Sequence, residues 1–470
     1  MKHTKLLAIL LGGLMGATVF AGCTNRDRKP QIYGDPVYIG ALDRGFGVDW
    51  LEAVADAYYE ETGIDVVITG DPEIGKTMET SMGTTASKND LYFTLASPAY
   101  RNKWARENWS EPLDDVLSDD KYGVPANERL RDDTLKTLGM HDGKVYELPY
   151  IYSVWGFVYN MDYLNKIESY GTYKKGEIPQ TMQELMDLFT ATNNAKIVNP
   201  RTKNTVKPIA SGLRVDYMNQ LFFSLWYQQD PENFNAYWKQ NDKSGYKSEF
   251  FDTPAVLKSF EAIFDLIGAK SSTESNLAGI TQDHLESQKS FINGDCVVVM
   301  SASWFESEMS QNLQTANLNY RFAAYPKMEG VEKSAVSMNL PGEFFLIPSD
   351  DGNNIEGAKD FLAFLLSEEG IEIASKELNQ VMAYTTEKSI ELNEFGKDIE
   401  SMIEASDCFY KFSTTDIYST GALNLFMLET SPFYSMAKYE ITSKDEIPVK
   451  IVQEEIKKHR LGWEDYMNKI

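Results

Sequence analysis

Cysteine and histidine are scarce in this chain, which limits the chemistry that it can carry. Its 470 residues include three cysteines and four histidines. So few cysteines exclude a small fold that is held together by disulfides, and we expect Cys296 and Cys408 to be free thiols. The histidines stand apart, without the H-E-x-x-H spacing of a zinc site, so we expect no metal and no cofactor. They are His3, His141, His284 and His459.

Basic residues are outnumbered by acidic ones. The chain has 45 Lys and Arg against 70 Asp and Glu, which gives a net charge of −25. This balance argues against nucleic acid as the main partner, because binding to phosphates depends on Lys and Arg. The phosphate-binding motif G-x-x-x-x-G-K-[ST] and the G-x-S-x-G turn of serine hydrolases are also missing. We therefore assign no residue to catalysis.

The one long apolar run lies near the N-terminus, at residues 6–20, behind a basic start. It is shorter than the roughly 20 residues that span a bilayer, and it is typical of the core of a signal peptide. The next residues, Phe-Ala-Gly-Cys at 20–23, resemble a bacterial lipobox with phenylalanine in place of the usual leucine. We predict a lipoprotein signal peptide at 1–22, lipidation of Cys23 and a lipid-anchored polar tether at 23–35. The alternative is an ordinary signal peptide followed by a cysteine with no special role.

Beyond the tether, strands and helices are predicted to alternate. A strand at 36–42 precedes a helix with Asp49 and Glu52 at the spacing of a capping box, and Gly63 is expected to end that helix. The β-branched run at 64–69 gives the next strand. Alternation of this kind predicts an α/β fold with a largely parallel sheet, whose ligands lie near the carboxyl ends of the strands.

Four further segments form a pattern in a fixed order along the chain. They are DGKVYELP at 142–149 with YNMDYL at 159–164, IPQTMQEL at 178–185, FINGDCVVVM at 291–300 with Ser303 and Trp304, and PGEFFLIP at 341–348 with the stretch 358–370. Together they resemble the extracellular solute-binding proteins of ABC importers, in the sugar-binding branch that includes maltose-binding protein. Two residues depart from that pattern: Met182 stands in place of a tryptophan, and Glu343 stands in place of a second glycine.

The resemblance implies a two-lobe fold of the periplasmic-binding-protein type, with a hinge and a ligand cleft between the lobes. Lobe one is expected to comprise 36–150 and 321–370, and lobe two 151–320 and the C-terminal helices at 371–470. It also implies a monomer, lipid-anchored at the outer face of the cell membrane. That protein is expected to capture a mono- or oligosaccharide and to deliver it to the transmembrane subunits of an ABC permease.

A sugar offers hydroxyl groups and flat apolar faces, so its site needs aromatic rings and side chains that form paired hydrogen bonds. Trp304 is the first candidate, because the resemblance implies a tryptophan at this position that stacks on sugar. The other candidates are Asp43 and Arg44 after the first strand, Asp90 at the third strand, Tyr152 and Trp155 in the crossover, Asp216 and Tyr217 before a lobe-two helix, Glu343 in the glycine turn, and Tyr384 in a late loop.

Most of these candidates also have a structural interpretation. Asp43 and Arg44 would equally suit a solvated ion pair, and Asp90 would equally suit a turn cap. Alternation along the crossover strand means that some of its aromatic residues face the core. Glu343 would then be a surface charge, and Trp304 a core tryptophan under a loop.

Two other functional classes stay open at this point. One is a binder of a non-sugar solute such as a peptide, a polyamine or ferric iron. The other is a secreted carbohydrate-active enzyme, which would need two carboxyl groups at a fixed separation around one glycosidic bond. We expect a binding protein rather than an enzyme.

Overall fold

The computed structural model describes residues 34–84, 88–96, 98–213, 217–238, 248–268, 273–339, 342–350, 352–410 and 432–450. The predicted signal peptide, the lipidation at Cys23 and the candidate Asp216 lie outside these ranges. Within them, no helix is both long enough and apolar enough to cross a membrane.

The strands of the described ranges are short, and most are buried on both faces. They are β1 Val37–Leu42, β2 Val66–Asp71, β3 Leu91–Thr94, β4 Met140–His141, β5 Lys144–Val145, β6 Leu148–Pro149, β7 Trp155–Asn160, β8 Lys207–Ala210, β9 Cys296–Ala302, β10 Tyr320–Ala323, β11 Ala335–Met338, β12 Phe344–Leu346 and β13 Asp407–Tyr410.

Helices fill most of the sequence between these strands. They are α1 Asp49–Thr62, α2 Ile74–Ser81, α3 Pro98–Arg106, α4 Asp114–Ser118, α5 Asp133–Leu138, α6 Met161–Leu164, α7 Met182–Ala195, α8 Tyr217–Gln229, α9 Pro231–Trp238, α10 Pro254–Ile267, α11 His284–Ile292, α12 Phe305–Glu308, α13 Ser310–Ala316, α14 Ile355–Leu365, α15 Glu368–Leu378, α16 Glu394–Ala405 and α17 Pro432–Ala437, with short 3-10 turns at Ala126–Glu128, Ser248–Phe251 and Lys444–Glu446.

The first lobe is built on a sheet with the strand order β2-β1-β3-β12-β6. β1 runs parallel to β2 and to β3, as the alternation of strands and helices predicts, while β12 is antiparallel to β3 and β6. The helix between β1 and β2 ends at Gly63, whose φ of 75° suits glycine. The predicted capping box is wrong: Asp49 is already helical, and Val48 precedes it without a side-chain cap. Both acids still lie in the first turn, where the helix dipole favours negative charge.

The second lobe is built on a sheet with the strand order β10-β7-β9-β8. β7 is antiparallel to its neighbours β10 and β9, and β8 runs parallel to β9. The apolar stretch 291–300 predicts a strand from its sequence, but residues 291–292 end helix α11 instead. The turn that follows contains Gly294, with a φ of 85°, and the strand begins only at Cys296. β10 at Tyr320–Ala323 also belongs to this sheet. The chain therefore passes from lobe two back to lobe one a few residues later than the predicted boundary at 321.

Segments that pass between the two sheets lie side by side. In the segment from β6 to β7, Ile151 bridges to Met382 and Val154 bridges to Met338. The backbone N–H of Tyr152 also donates to the carbonyl of Val381 at 2.9 Å. These contacts are those of crossover strands at a hinge, and the predicted two-lobe α/β fold is confirmed by the structural likeness reported below.

Candidate ligand-binding site

A cavity of about 490 Å³ opens where the two lobes face each other. Lobe one contributes the residues that follow β1, β2 and the end of β3, so the carboxyl ends of three parallel strands meet there. Lobe two contributes residues from the start of β7, from α8 and α11, and from the turn after β9. Asn339 and Glu343 line it from the remaining crossover.

A larger depression of about 810 Å³ lies elsewhere, against α8, α9 and α10 of the second lobe. Its lining is mainly charged and polar, with Lys258, Lys333 and Asp407 among the residues. Its two strand residues, Ala335 and Asp407, are the first residues of β11 and β13, so it has no carboxyl ends of strands and no wall from the first lobe. The interlobe cavity is therefore the better candidate for a ligand.

Three aromatic side chains, Trp155, Tyr217 and Trp304, form one wall of the interlobe cavity, and we call them the aromatic cluster. The ring of Trp155 meets that of Tyr217 at a centroid distance of 4.8 Å and an angle of 88°. It meets the ring of Trp304 at 4.8 Å and 85°. Phe46, from the loop after β1, extends the group across the cleft with a T-shaped contact of 6.2 Å to Trp304.

Strand register explains why Trp155 and Trp304 meet. Trp155 opens β7 and lies opposite Ala302, the last residue of β9. Trp304 follows in the turn that leads to α12. Antiparallel pairing therefore places two tryptophans that are far apart in sequence at the same end of the sheet.

The indole N–H of Trp155 has no acceptor within the described part of the chain. The residue is only 5% exposed, although it lines the cavity. A buried donor without a partner is costly, by roughly 1–3 kcal/mol. A ligand oxygen or a water molecule in the cavity would satisfy it.

His284 lies beside this wall, at the first residue of α11. Its ring stacks on that of Tyr217 at 5.7 Å and 26°, and its Nε2 lies 3.6 Å from Oε1 of Glu308. Glu308 Oε2 in turn accepts a hydrogen bond of 2.7 Å from Gln288. The hydrogen bond and charge of Glu308 raise the pKa of His284, while burial acts in the opposite direction.

Sequence reasoning missed His284, Glu308, Gln220 and Asn339, which all line the cavity. His284 was expected to be an isolated surface or core histidine. A signal for its position exists, because Asp283 and Glu286 form a capping box that places His284 at the start of a helix. Nothing in the sequence, however, says that this helix start faces the first lobe.

Arg44 lines the cavity from lobe one, within an exposed group of charges. Its guanidinium pairs with Glu73, and Lys76 pairs with the same carboxylate. Lys76 is the main cause of the lowered pKa of Glu73, with Arg44 as a further cause. All three side chains are largely solvated, so these pairs orient Arg44 more than they stabilise the fold. The neighbouring Asp43 is exposed and does not line the cavity.

Glu343 lines the cavity at the end of the crossover, just before β12. Burial, with the negative charge of Glu308 as a further cause, raises the pKa of its carboxyl to about 7, although its own backbone N–H opposes the change. A Cβ at Gly45 would lie 3.6 Å from Oε1 of Glu343 and 4.0 Å from Cγ of Trp304. The carboxyl group and the indole of lobe two therefore both lie close to Gly45 of lobe one.

The structure places three other candidates away from the cavity. Asp90 lies at the amino end of β3, opposite to the cavity, where its oxygens accept the backbone N–H groups of Tyr38 at 2.8 Å and Asn354 at 2.7 Å. The hydroxyl of Tyr152 lies 3.0 Å from that of Tyr410. Tyr384 is buried in the hinge region, and its hydroxyl has no partner among the residues that the structure describes.

The candidates thus separate into two groups. Trp304, Trp155, Tyr217, Arg44 and Glu343 line one cavity. The remaining described candidates, Asp43, Asp90, Tyr152 and Tyr384, do not. Asp90 accepts backbone N–H groups from two distant segments instead of capping its own turn, and Tyr152 faces a structural hydrogen bond to Tyr410. Over the described ranges, no group of three or more His, Cys, Asp and Glu could hold a metal ion.

Comparison with known proteins adds to this geometry. The family model described as bacterial extracellular solute-binding protein matches residues 47–372. No curated protein matches the chain. Among solved structures, the chain is similar to the GacH receptor of Streptomyces glaucescens GLA.O, with 15% sequence identity and a TM-score of 0.65 over 92% of this chain and 98% of that one. That receptor was solved unliganded and in complex with acarbose and an acarbose homolog, and was compared with an acarbose-loaded maltose binding protein of Salmonella typhimurium.

Proposed function

The chain belongs to the family of bacterial extracellular solute-binding proteins, and on that premise we propose that it captures a carbohydrate for an ABC importer. The ligand is a mono- or oligosaccharide that binds reversibly in the interlobe cavity. The protein releases it to the transmembrane permease subunits and does not transform it. The lipobox-like residues at 20–23 support a lipid anchor at Cys23, which would keep the protein beside its permease.

The aromatic cluster is the observation that carries the sugar assignment. Apolar faces of pyranose rings pack against indole and phenol rings, and Trp155 and Trp304 are held at right angles to each other at the cavity wall. Trp304 retains 9% exposure and lines the cavity, so part of the residue remains accessible to a ligand. The volume of about 490 Å³ lies within the roughly 300–1,000 Å³ of small-molecule sites.

Polar groups around the cluster suit hydroxyl groups of a sugar. Gln220, Asn339 and Arg44 line the cavity with amide and guanidinium groups, which form paired hydrogen bonds with neighbouring hydroxyls. Oε1 of Gln220 accepts a 3.1 Å hydrogen bond from Ser337, which fixes the orientation of its amide. Closure of the lobes would exclude water and strengthen each of these bonds.

The comparisons support the same ligand class. GacH, whose fold this chain shares, was crystallised with a compound that also loads a maltose binding protein. This likeness supports a sugar-type ligand for the chain. Delivery to a permease is supported by the family, since extracellular solute-binding proteins serve importers.

Sugar binding is tested by thermal shift against a panel of mono- and oligosaccharides, followed by isothermal titration calorimetry of each hit. A sugar at one hundred times its Kd should stabilise the protein by about 2.7 kcal/mol. The proposal fails if no sugar raises the melting temperature while a peptide, polyamine or ferric iron does. Chromatography of the same mixtures should show intact sugars, and turnover would instead indicate an enzyme.

Trp304→Ala is expected to abolish the sugar-induced shift, because it removes the stacking surface while leaving the sheets intact. Trp109→Ala is the matched control. Trp109 is a half-buried tryptophan outside the cavity, where it contacts Lys103. Affinity should survive in the control, and equal affinities in the two variants would assign Trp304 to the core alone.

A further inference from the structure

The charged side chains that line the interlobe cavity do not balance one another. They are Glu73, Glu79, Glu308, Glu343, Arg44, Lys76 and His284. Arg44 and Lys76 share Glu73, and His284 pairs with Glu308. Within the described ranges, Glu343 forms no ion pair, and neither does Glu79. Lys76 also lies near enough to Glu79 to act on its charge, so the four glutamates exceed the three cationic side chains by one. Glu343 is the carboxyl that none of the cations lining the cavity neighbours.

Glu343 is the surplus carboxyl that faces the aromatic cluster. Its Oε1 and Cγ of Trp304 both lie within contact distance of the same point above Gly45. A ligand ring that packs on Trp304 would thus bring one of its substituents to Glu343. Glu343 stands where the sequence pattern of the sugar-binding solute-binding proteins has a second glycine. This chain therefore has a carboxyl group in the cleft at a position where that pattern has no side chain.

The unpartnered indole N–H of Trp155 imposes a second condition. The residue is about 95% buried, lines the cavity, and offers a donor to a ligand atom that can accept. A hydroxyl oxygen meets that condition. A fully protonated polyamine does not, because ammonium groups are donors without a lone pair. A ligand that satisfies both Trp155 and Glu343 directly carries an acceptor and a cation in one molecule.

We propose that the ligand is an amino sugar with a free ammonium group, and that Glu343 determines this specificity by binding that group. The inference rests on the proposed function, since it names the class of sugar that the same cavity takes. Hydroxyl groups of the sugar accept from Trp155, its apolar face packs on Trp304, and its ammonium group donates to Glu343. A neutral sugar would offer the carboxyl a hydroxyl donor but no opposite charge.

The size of the preference follows from the type of bond. A hydrogen bond between two charged groups in a partly buried site changes affinity by about ten- to hundredfold relative to a neutral hydroxyl. Glutamine keeps the shape of the side chain but has no charge. Glu343→Gln should therefore bind the amino sugar and its hydroxyl counterpart with similar affinities.

The experiment is isothermal titration calorimetry at pH 7 with matched sugars that differ by one substituent. The pairs are glucose and glucosamine, galactose and galactosamine, and cellotriose and the glucosamine trimer, with spermidine as a sugar-free amine. Wild type, Glu343→Gln and Glu377→Gln are compared. Glu377 is an exposed glutamate on α15 outside the cavity, so its variant controls for the loss of one negative charge.

The expected result is at least tenfold tighter binding of an amino sugar than of its hydroxyl counterpart, in wild type and in Glu377→Gln but not in Glu343→Gln. Equal or tighter binding of the neutral sugar by wild type would overturn this inference and leave the proposed function intact. A preference that persists in Glu343→Gln would also overturn it. If no sugar binds, or if only spermidine binds, both the inference and the proposed function fall.

Discussion

Replacing Glu343 by glutamine should stabilise the ligand-free protein, and the gain should depend on pH. The carboxyl has an ordinary pKa of 4.5, which burial, with a contribution from Glu308, raises to about 7 in the folded chain. Between these two values the folded protein holds a proton that the unfolded chain has lost. The contribution of this group to stability therefore falls as the pH rises from about 4.5 to about 7.

The magnitude follows from the difference between the two pKa values. A difference of about 2.5 corresponds to at most about 3 kcal/mol, at about 1.4 kcal/mol for each pH unit. Glu343 is half-buried, and water that reaches its carboxyl reduces this figure to about 1–2 kcal/mol. Glutamine has the same shape and no charge, so the variant avoids this penalty.

Urea unfolding of the ligand-free protein, followed by tryptophan fluorescence, measures the effect. Wild type and Glu343→Gln should be nearly equal in stability at pH 4, and the variant should be more stable by about 1–2 kcal/mol at pH 8. Glu377→Gln should show no such trend. A difference that does not change with pH, or that favours wild type at pH 8, would refute the assignment of Glu343 as a buried, unpaired carboxyl.

Two further predictions concern one charged pair that lines the cavity and one that lies outside it. Glu308→Gln should lower the pKa of His284, because Glu308 is the main cause of its raised value, and NMR titration of the ring protons measures the change. The stability that this pair contributes is present at low pH and is lost as the pH rises through the pKa of His284 in the folded protein. An unchanged titration would mean that the pair does not form in solution. The carboxylate of Asp398 accepts hydrogen bonds from Arg321 Nε at 2.7 Å and from the backbone N–H of Phe322 at 3.0 Å. Asp398→Asn should therefore lower the free energy of unfolding by about 1–3 kcal/mol, measured by urea unfolding. Affinity for sugar should stay as in wild type, and a weaker affinity would mean that this pair also shapes the cleft.

Local sequence patterns predicted individual elements well. The strand expected at 36–42 is β1, and Gly63 ends α1 in a left-handed conformation, as expected. These predictions succeed because a short strand or a helix stop depends on residues that are close together in sequence. The errors are also local: Asp49 is taken into the helix that it was expected to cap, and α11 continues through residues 291–292 before a glycine turn.

Residues of the candidate site were harder to choose, since their roles depend on which end of a strand they occupy. Asp90 and Thr94 lie only four residues apart, yet Asp90 bonds to Tyr38 at the amino end of β3 and Thr94 lines the cavity at the other end. Tyr152 and Trp155 stand three residues apart in one crossover, where the first faces Tyr410 and the second faces the cavity. Alternation along a strand determines which side chains share a face, but the sequence does not say which of the two faces points into the cleft.

The sequence by itself determined the family, the α/β class and the presence of tryptophan, tyrosine and glutamate at suitable places, because these depend on local order and spacing. The tertiary structure alone decided that Trp155 meets Trp304, that His284 lies beside Tyr217, and that Glu343 faces them without a cation. The physical reason is that these contacts join segments more than thirty residues apart. Strand register and the crossing of the hinge set such contacts, and no short stretch of sequence encodes them.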